Sequence, residues 1–210
     1  MIDQTRFWDK AAAKYANDPI RDMAAYTYTL ERTRSHFRAE DTVLEIGCGT
    51  GSTALLLAQS VGMYHGTDIS SEMIKIARAK VSETSLPNLS FEAHPALEGI
   101  HAHEGLDAVL AFNLLHLLSD IPAALDAAHQ ALRPGGLLIS KTPCLSDASF
   151  KIKLVLKLIP LAQLLGKAPF VQSFSVTAYD QMIETAGFEI VECGNHPASP
   201  PSRYVVARKI

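Results

Sequence analysis

Thr42-Val43-Leu44-Glu45-Ile46-Gly47-Cys48-Gly49-Thr50-Gly51 is a short apolar run that breaks into three alternating glycines, and Ser52 to Val61 follows with helical spacing. The first part reads as a β-strand and the last as an α-helix. Between them the glycines permit a tight turn and let the backbone approach a ligand closely at a helix start. In an open α/β sheet such a turn lies at the carboxyl end of a strand, where ligands bind. The pattern differs from the dinucleotide fingerprint G-x-G-x-x-G, because the glycines alternate and Glu45 precedes them. Alone, the loop would also suit a plain strand-to-helix turn, so its neighbours must decide.

Downstream, Met63 to Asp68 reads as a second strand, and Asp68 stands 19 residues after Gly49. That is close to the spacing of a carboxylate that grips ribose hydroxyls. Ser71 to Val81 is an amphipathic helix through Met73, Ile74, Ala77 and Val81. Leu89 to Ala93, Leu106 to Phe112 and Leu137 to Ser140 read as further strands, with a helix over Ile121 to Leu132 and a turn at Arg133-Pro134-Gly135-Gly136. Upstream, residues 4–16 and 21–37 are expected as helices, parted by Asn17-Asp18-Pro19. Phe188 to Glu192 and Tyr204 to Arg208 are joined without a helix and so predict an antiparallel pair at one sheet edge. Apolar strands alternating with helices imply a mostly parallel sheet covered on both faces. The expected architecture is a three-layer α/β/α sandwich around seven strands.

Hydrophobic residues at 48% and charged residues at 20% describe a globular chain rather than a disordered one. The net charge of -3, without a basic run, argues against affinity built on nucleic-acid phosphates. Cys48, Cys144 and Cys193 are odd in number and far apart, so neither a disulfide framework nor a metal site is expected, and a reducing cytoplasm is the natural setting. Met1-Ile2-Asp3-Gln4-Thr5-Arg6 does not read as a signal peptide. The apolar stretch from Leu154 to Leu165 is interrupted by Lys157, Pro160 and Gln163 and falls short of the roughly 20 residues of a membrane span.

With these elements in place, Glu45 to Gly51 resembles motif I of the class I S-adenosylmethionine (SAM)-dependent methyltransferases, of the small-molecule type. The resemblance runs on through Gly66-Thr67-Asp68-Ile69-Ser70, Leu106-Asp107-Ala108-Val109 with Asn113-Leu114-Leu115-His116, and Leu132-Arg133-Pro134-Gly135-Gly136. Four motifs in register over residues 40–142 are far more specific than one. The resemblance implies a single Rossmann-like domain over 1–210: a helical cap at 1–39, a cofactor-binding core at 40–142, lid or substrate helices at 143–180, and a helix end with the strand pair at 181–210. It implies SAM as cofactor and S-adenosylhomocysteine as product. Gly47, Cys48, Gly49 and Gly51 would pass under the methionine half, with Glu45 near the amino group. Asp68 would hold the ribose, Ile69 would flank the adenine and Asn113 would line the methionine end, with Met73 and Leu114 also among the cofactor-binding residues.

The sequence departs from the family pattern at Phe91-Glu92-Ala93-His94-Pro95-Ala96-Leu97, which lacks the Asp that often meets the adenine amino group. His94, or backbone near Ala96, is the candidate replacement; the alternative is that His94 is a loop residue only. Methyl transfer from a sulfonium is an in-line displacement that needs alignment and exclusion of water. A general base is required only if the acceptor must lose a proton. His116 is the candidate base, while His101 and His103 are expected in a polar, solvated loop. Trp8 and Tyr15 share the leading helix and either cover the cofactor or pack in the core. Cys144 follows the fifth strand near the expected acceptor position and is counted with the substrate side, although a buried or bystander thiol is the favoured reading.

The segment from Phe150 to Ile159 places Lys153 and Lys157 on one helical face and Leu154, Leu158, Leu161 and Leu165 on another. A helix packed on the sheet, a lid over an apolar acceptor, and weak contact with a membrane surface are three readings of it. Thr177-Ala178-Tyr179-Asp180 resembles a helix start, and Gly187 ends that helix. The acceptor is expected to be a small or lipid-like molecule and the protein a monomer or homodimer. Two other readings remain: a SAM-binding module without turnover, and an NAD(P)-dependent oxidoreductase.

Overall fold

A computed structural model describes residues 3–164 and 166–210 of the chain. Met1 and Ile2 of the amino-terminal stretch, and Leu165 of the expected apolar face, lie outside the described residues. The strands are β1 (Thr42–Ile46), β2 (Met63–Asp68), β3 (Leu89–Ala93), β4 (Leu106–Phe112), β5 (Leu132–Pro143), β6 (Phe188–Asn195) and β7 (Ser202–Lys209). They form one sheet in the order β3-β2-β1-β4-β5-β7-β6. The first five are parallel, and β7 runs antiparallel to both β5 and β6. Strand order reverses between β2 and β4 around β1, so the crevice at their carboxyl ends is where this topology binds ligands.

The helices are α1 (Gln4–Asn17), α2 (Met23–Arg34), α3 (Ser52–Leu57), α4 (Ser71–Ser82), α5 (Ala96–His101), α6 (Ile121–Ala131), α7 (Phe150–Leu156), α8 (Ile159–Leu164) and α9 (Val176–Thr185). Side chains alternate across each strand and build two cores. Val43, Tyr64, Leu110, Ile139 and Tyr204 pack against α2, α3 and α4. Leu44, Ile46, Val109, Leu138 and Val205 pack against α5, α6 and α9. Both faces of the parallel strands are therefore buried, which explains their unbroken apolar runs.

Helix starts follow their caps. Asp22 Oδ1 accepts from Ala25 N at 2.9 Å, Ser70 Oγ from Met73 N at 3.1 Å, and Asp120 Oδ1 from Ala123 N at 2.9 Å. The cap at Asp22 shortens the expected helix 21–37 to 23–34. The α3 helix stops at Leu57, short of Val61, because Asn88 Nδ2 donates to Ala58 O and Val61 O at 2.8 and 2.9 Å and holds a 3-10 turn there. Ser175 caps α9, two residues before the expected start, with its Oγ accepting from Ala178 N at 3.1 Å. The expected turn at Arg133–Gly136 is an irregularity within β5, where pairing passes from Leu106–Leu132 to Ala108–Leu137.

Two expectations change more substantially. His101 lies in α5, a short helix where only a loop is expected; it fits because Gly99 brings the helix close to β2, where a Cβ would lie 2.8 Å from Thr67 Oγ1. The helix expected over 150–165 divides into α7 and α8 around Lys157-Leu158. The Pro160 ring clashes with a helical carbonyl four residues earlier, and α7 ends at that residue, Leu156. Nor does this pair pack on the sheet with its leucines, since Leu154, Leu158, Leu161 and Leu164 are all exposed.

Candidate functional site

The carboxyl ends of β1, β2 and β4 open into a cavity of about 740 Å³. Its floor is the glycine turn after β1. Gly47 and Gly49 adopt φ of 66° and 55°, a left-handed backbone that disfavours side chains. A Cβ on Gly47 would lie 2.6 Å from Leu114 Cδ1, so this glycine admits the turn after β4. Both glycines and Leu114 line the cavity.

Asp68, at the end of β2, ties this turn to the next one. Its Oδ2 accepts from Gly49 N and its Oδ1 from Ser70 N, both at 2.9 Å. Burial raises its pKa, the two N–H donors pull it down, and nearby Asp9 raises it again. The carboxylate keeps lone pairs beyond those two bonds, so it still has acceptor capacity toward a ligand. Glu45 lies beneath the turn and not on the cavity wall: Tyr64 OH donates to its Oε2 at 2.8 Å. Burial pushes the Glu45 carboxyl up to about 7. Its influence still reaches the cavity, because Tyr15, on the wall, is raised by burial and then by Asp68 and Glu45.

The helix α1 covers the site. Asp9 accepts from Ser70 Oγ at 2.7 Å and from Glu72 N at 3.2 Å, which fixes α1 on the start of α4. Gln4, Trp8 and Tyr15 then face the cavity. Trp8 and Tyr15 thus line the cavity and belong to neither core cluster. Ile69, Met73, His94, Ala96 and Asn113 also line the wall. His94 N donates to Asp68 O at 2.9 Å, and its ring pairs with Glu92 at 3.2 Å. Asn113 takes φ 55°, which Asn tolerates, and donates its N–H to Lys141 O at 2.7 Å.

Away from the glycine turn the wall is largely apolar through Leu117, Leu118, Pro143, Pro169, Phe170 and Val171, and it also carries His116, Ser119 and Asp120. The stretch 167–174 closes it as a strap. Gln172 N donates to His116 O at 2.7 Å, its Nε2 donates to Leu118 O and Ser119 O, and Phe170 N donates to Gln4 Oε1 at 3.3 Å. Burial lowers the His116 pKa to about 4, and its Nδ1 lies 3.2 Å from Thr142 Oγ1. The imidazole is therefore neutral near pH 7, a hydrogen-bonding group and a weak base.

Besides Glu45, three sequence candidates lie off the wall. Cys48 is buried, with its thiol 3.8 Å from Gly49 O. Gly51 caps α3 and accommodates the core, where a Cβ would meet Phe91 Cζ at 2.6 Å and Ala77 Cβ at 2.9 Å. Cys144 is a correction to the acceptor-side reading. Its N–H pairs with Pro201 O at 2.9 Å, its side chain lies in the core, and burial raises the thiol to about 11. The strap residues Pro169, Phe170 and Val171 were not legible, because no motif marks a segment that meets the site only through tertiary contact.

Among the described residues, the wall carries Asp68 and Asp120 but no Lys or Arg. That donor set suits a ligand with positive charge and no phosphate, and not a pyrophosphate.

The chain is similar to known proteins in the same sense. The methyltransferase-domain family matches residues 12–193. A non-reducing polyketide synthase of Aspergillus terreus is 39% identical over 108 residues, which are 46% of this chain and 4% of that protein. A ubiquinone biosynthesis O-methyltransferase of Methylobacterium nodulans is 26% identical over 161 residues, 71% of this chain and 63% of that protein. The chain thus spans less than two thirds of either relative. Among solved structures, a magnesium protoporphyrin IX methyltransferase from Synechocystis aligns with a TM-score of 0.72 at 16% identity, over 99% of this chain and 96% of that one. At that identity the likeness speaks for the fold.

Proposed function

The chain belongs to the methyltransferase-domain family, and we propose that it moves a methyl group from SAM to a small, apolar acceptor, releasing S-adenosylhomocysteine. The carrying observation is one cavity whose wall, among the described residues, is bare of Lys and Arg, with Asp68 at the glycine turn and a largely apolar stretch beneath the strap. SAM supplies a methyl on a sulfonium, a net cationic group without phosphate. In this reading Gly47 and Gly49 let backbone run under the methionine half, Asp68 accepts from the ribose hydroxyls, and Ile69 and Met73 flank the adenine. His94 N is occupied by Asp68 O, so the adenine edge is left to the His94 ring or to backbone near Ala96. Asn113 and Leu114 bound the methyl-bearing end. The structural neighbour from Synechocystis, which holds bound S-adenosylhomocysteine, agrees with this ligand class.

The protein's share of the work is alignment and dryness. The strap and α1 shut water out, and the apolar wall orients an acceptor toward the glycine turn. His116, neutral near pH 7, positions an acceptor hydroxyl by accepting its hydrogen and contributes little as a base at a pKa of about 4. Calorimetric titration with SAM, S-adenosylhomocysteine and NAD tests the cofactor. Asp68→Asn keeps the side-chain shape and should weaken SAM by roughly ten- to a hundredfold, the worth of a hydrogen bond to a charged group. Binding of NAD in place of SAM would sink the reading. SAM binding without S-adenosylhomocysteine release across phenolic and other apolar acceptors would leave a binding module instead of an enzyme.

A further inference from the structure

The α7–α8 segment combines three features that the proposed methyl transfer does not itself require. First, it turns large apolar side chains outward: Phe150 is 80% exposed and Leu164 85%, with Leu154, Leu158 and Leu161 each more than half exposed. A water-facing cluster of this kind marks a surface that meets something apolar. Second, it is basic without compensation. No Asp or Glu occurs between Asp147 and Asp180, while Lys151, Lys153 and Lys157 of this segment and Lys167 of the strap do, so the chain's net -3 divides into +4 over residues 148–179 and -7 elsewhere. Lys153 and Lys157 line a shallow cleft with Leu145, Leu156, Ser146 and Ser173, the two serine hydroxyls hydrogen-bonding each other at 3.0 Å. Third, the segment runs directly into the strap, and Pro169, Phe170 and Val171 form the apolar end of the cavity.

We propose that α7–α8 is a docking surface for an anionic lipid bilayer, and that the acceptor reaches the cavity from that bilayer along the strap. The exposed leucines and Phe150 would enter the acyl boundary, and Lys153 and Lys157 would hold anionic headgroups at the cleft beside them. This is the division of labour of an interfacial amphipathic element: an apolar face immersed, lysines at the headgroup level. Charge complementarity favours lipid over a symmetric pairing of this face with itself, because two +4 segments repel each other, and the -7 remainder repels an anionic bilayer. The orientation is therefore set as well as the contact. The substrate class that follows is a membrane-dissolved amphiphile with a polar methylatable group. That last step rests on the proposed methyl transfer; the docking itself does not.

Sedimentation with phosphatidylcholine vesicles, with and without phosphatidylglycerol, tests the docking in the whole chain. Wild type should pellet with the anionic vesicles, remain largely in solution with the neutral ones, and be released by raised salt. Leu158→Glu/Leu161→Glu, and separately Lys153→Glu/Lys157→Glu, should each cut partitioning by about tenfold or more. SAM affinity by calorimetry should be unchanged in both, since none of these residues lines the cavity wall, and that readout also reports that the variants fold. Equal indifference to both vesicle types would overturn the proposal. So would a homodimer in sedimentation velocity that Leu158→Glu/Leu161→Glu dissociates, because the face would then be covered by a second copy. Vesicle binding without any SAM binding would defeat the methyltransferase reading and leave the docking intact.

Discussion

At the residue scale, the floor of the cavity is decided by where a side chain cannot be. Gly51→Ala would force a Cβ to within 2.6 Å of a Phe91 ring atom at a φ of +74°. Overpacking and left-handed strain together should cost about 2–4 kcal/mol, read as a lower urea midpoint. Glu45 gives a different kind of prediction. Its folded pKa of about 7 lies above the ordinary 4.5. The folded state therefore holds a proton that the unfolded chain releases, and this contribution to stability falls as pH rises from about 4.5 to about 7. Glu45→Gln should remove that decline, leaving the stability curve flatter over this range. A cationic ligand at the glycine turn favours ionised Glu45, so wild-type affinity for SAM should climb with pH up to about 7 and Glu45→Gln should not. Glu45 was legible in sequence as an acidic residue before the turn. Its burial under Tyr64 was not, because the two residues meet only when β1 and β2 pair.

At the scale of elements, two pieces outside the sheet complete the site, each held by a few polar bonds. Asp9 joins α1 to α4 through Ser70 and Glu72. Asp9→Ala should loosen the lid and weaken SAM by roughly fivefold to tenfold, the worth of about one net hydrogen bond. The urea midpoint should barely move, because global unfolding is set by the sheet. A large loss of midpoint would mean that α1 belongs to the cooperative core. The strap depends on Gln172, which donates to the backbone at Leu118 and Ser119 at 2.7 and 3.0 Å. Gln172→Leu should raise KM for an apolar acceptor several-fold while leaving SAM affinity near the wild-type value; equal effects on both would place the strap over the cofactor instead. Sequence periodicity revealed α1 and its aromatics readily. It did not reveal the strap or the break in α7–α8, since a proline and a few loop residues carry no period.

At the scale of the whole molecule, the carboxyl-terminal strands are tied back to the helices by ion pairs. Glu192 on β6 meets Arg32 of α2 at 2.5 Å and His36 at 2.9 Å. These partners, Arg32 foremost, hold the Glu192 carboxyl down at about 2. A lowered carboxylate stabilises the fold above its ordinary value of 4.5 and loses that contribution as pH falls toward about 2. Thermal melts should show wild type losing its margin over Glu192→Gln across that interval, and parallel curves would assign the pair no role. The pair is only partly buried, so the effect should be small and weakened by salt. By itself the sequence determined the layers, the strand inventory, the antiparallel end and the glycine turn with Asp68, because strand and helix periods and left-handed glycines are local properties. Only the tertiary structure decided that Cys144 faces the core, that Glu45 lies beneath the cavity, that Gln4 and Phe170 close it together, and that the leucines of α7–α8 face water. Those outcomes depend on which surfaces meet across long stretches of chain, and no local pattern of residues encodes that meeting.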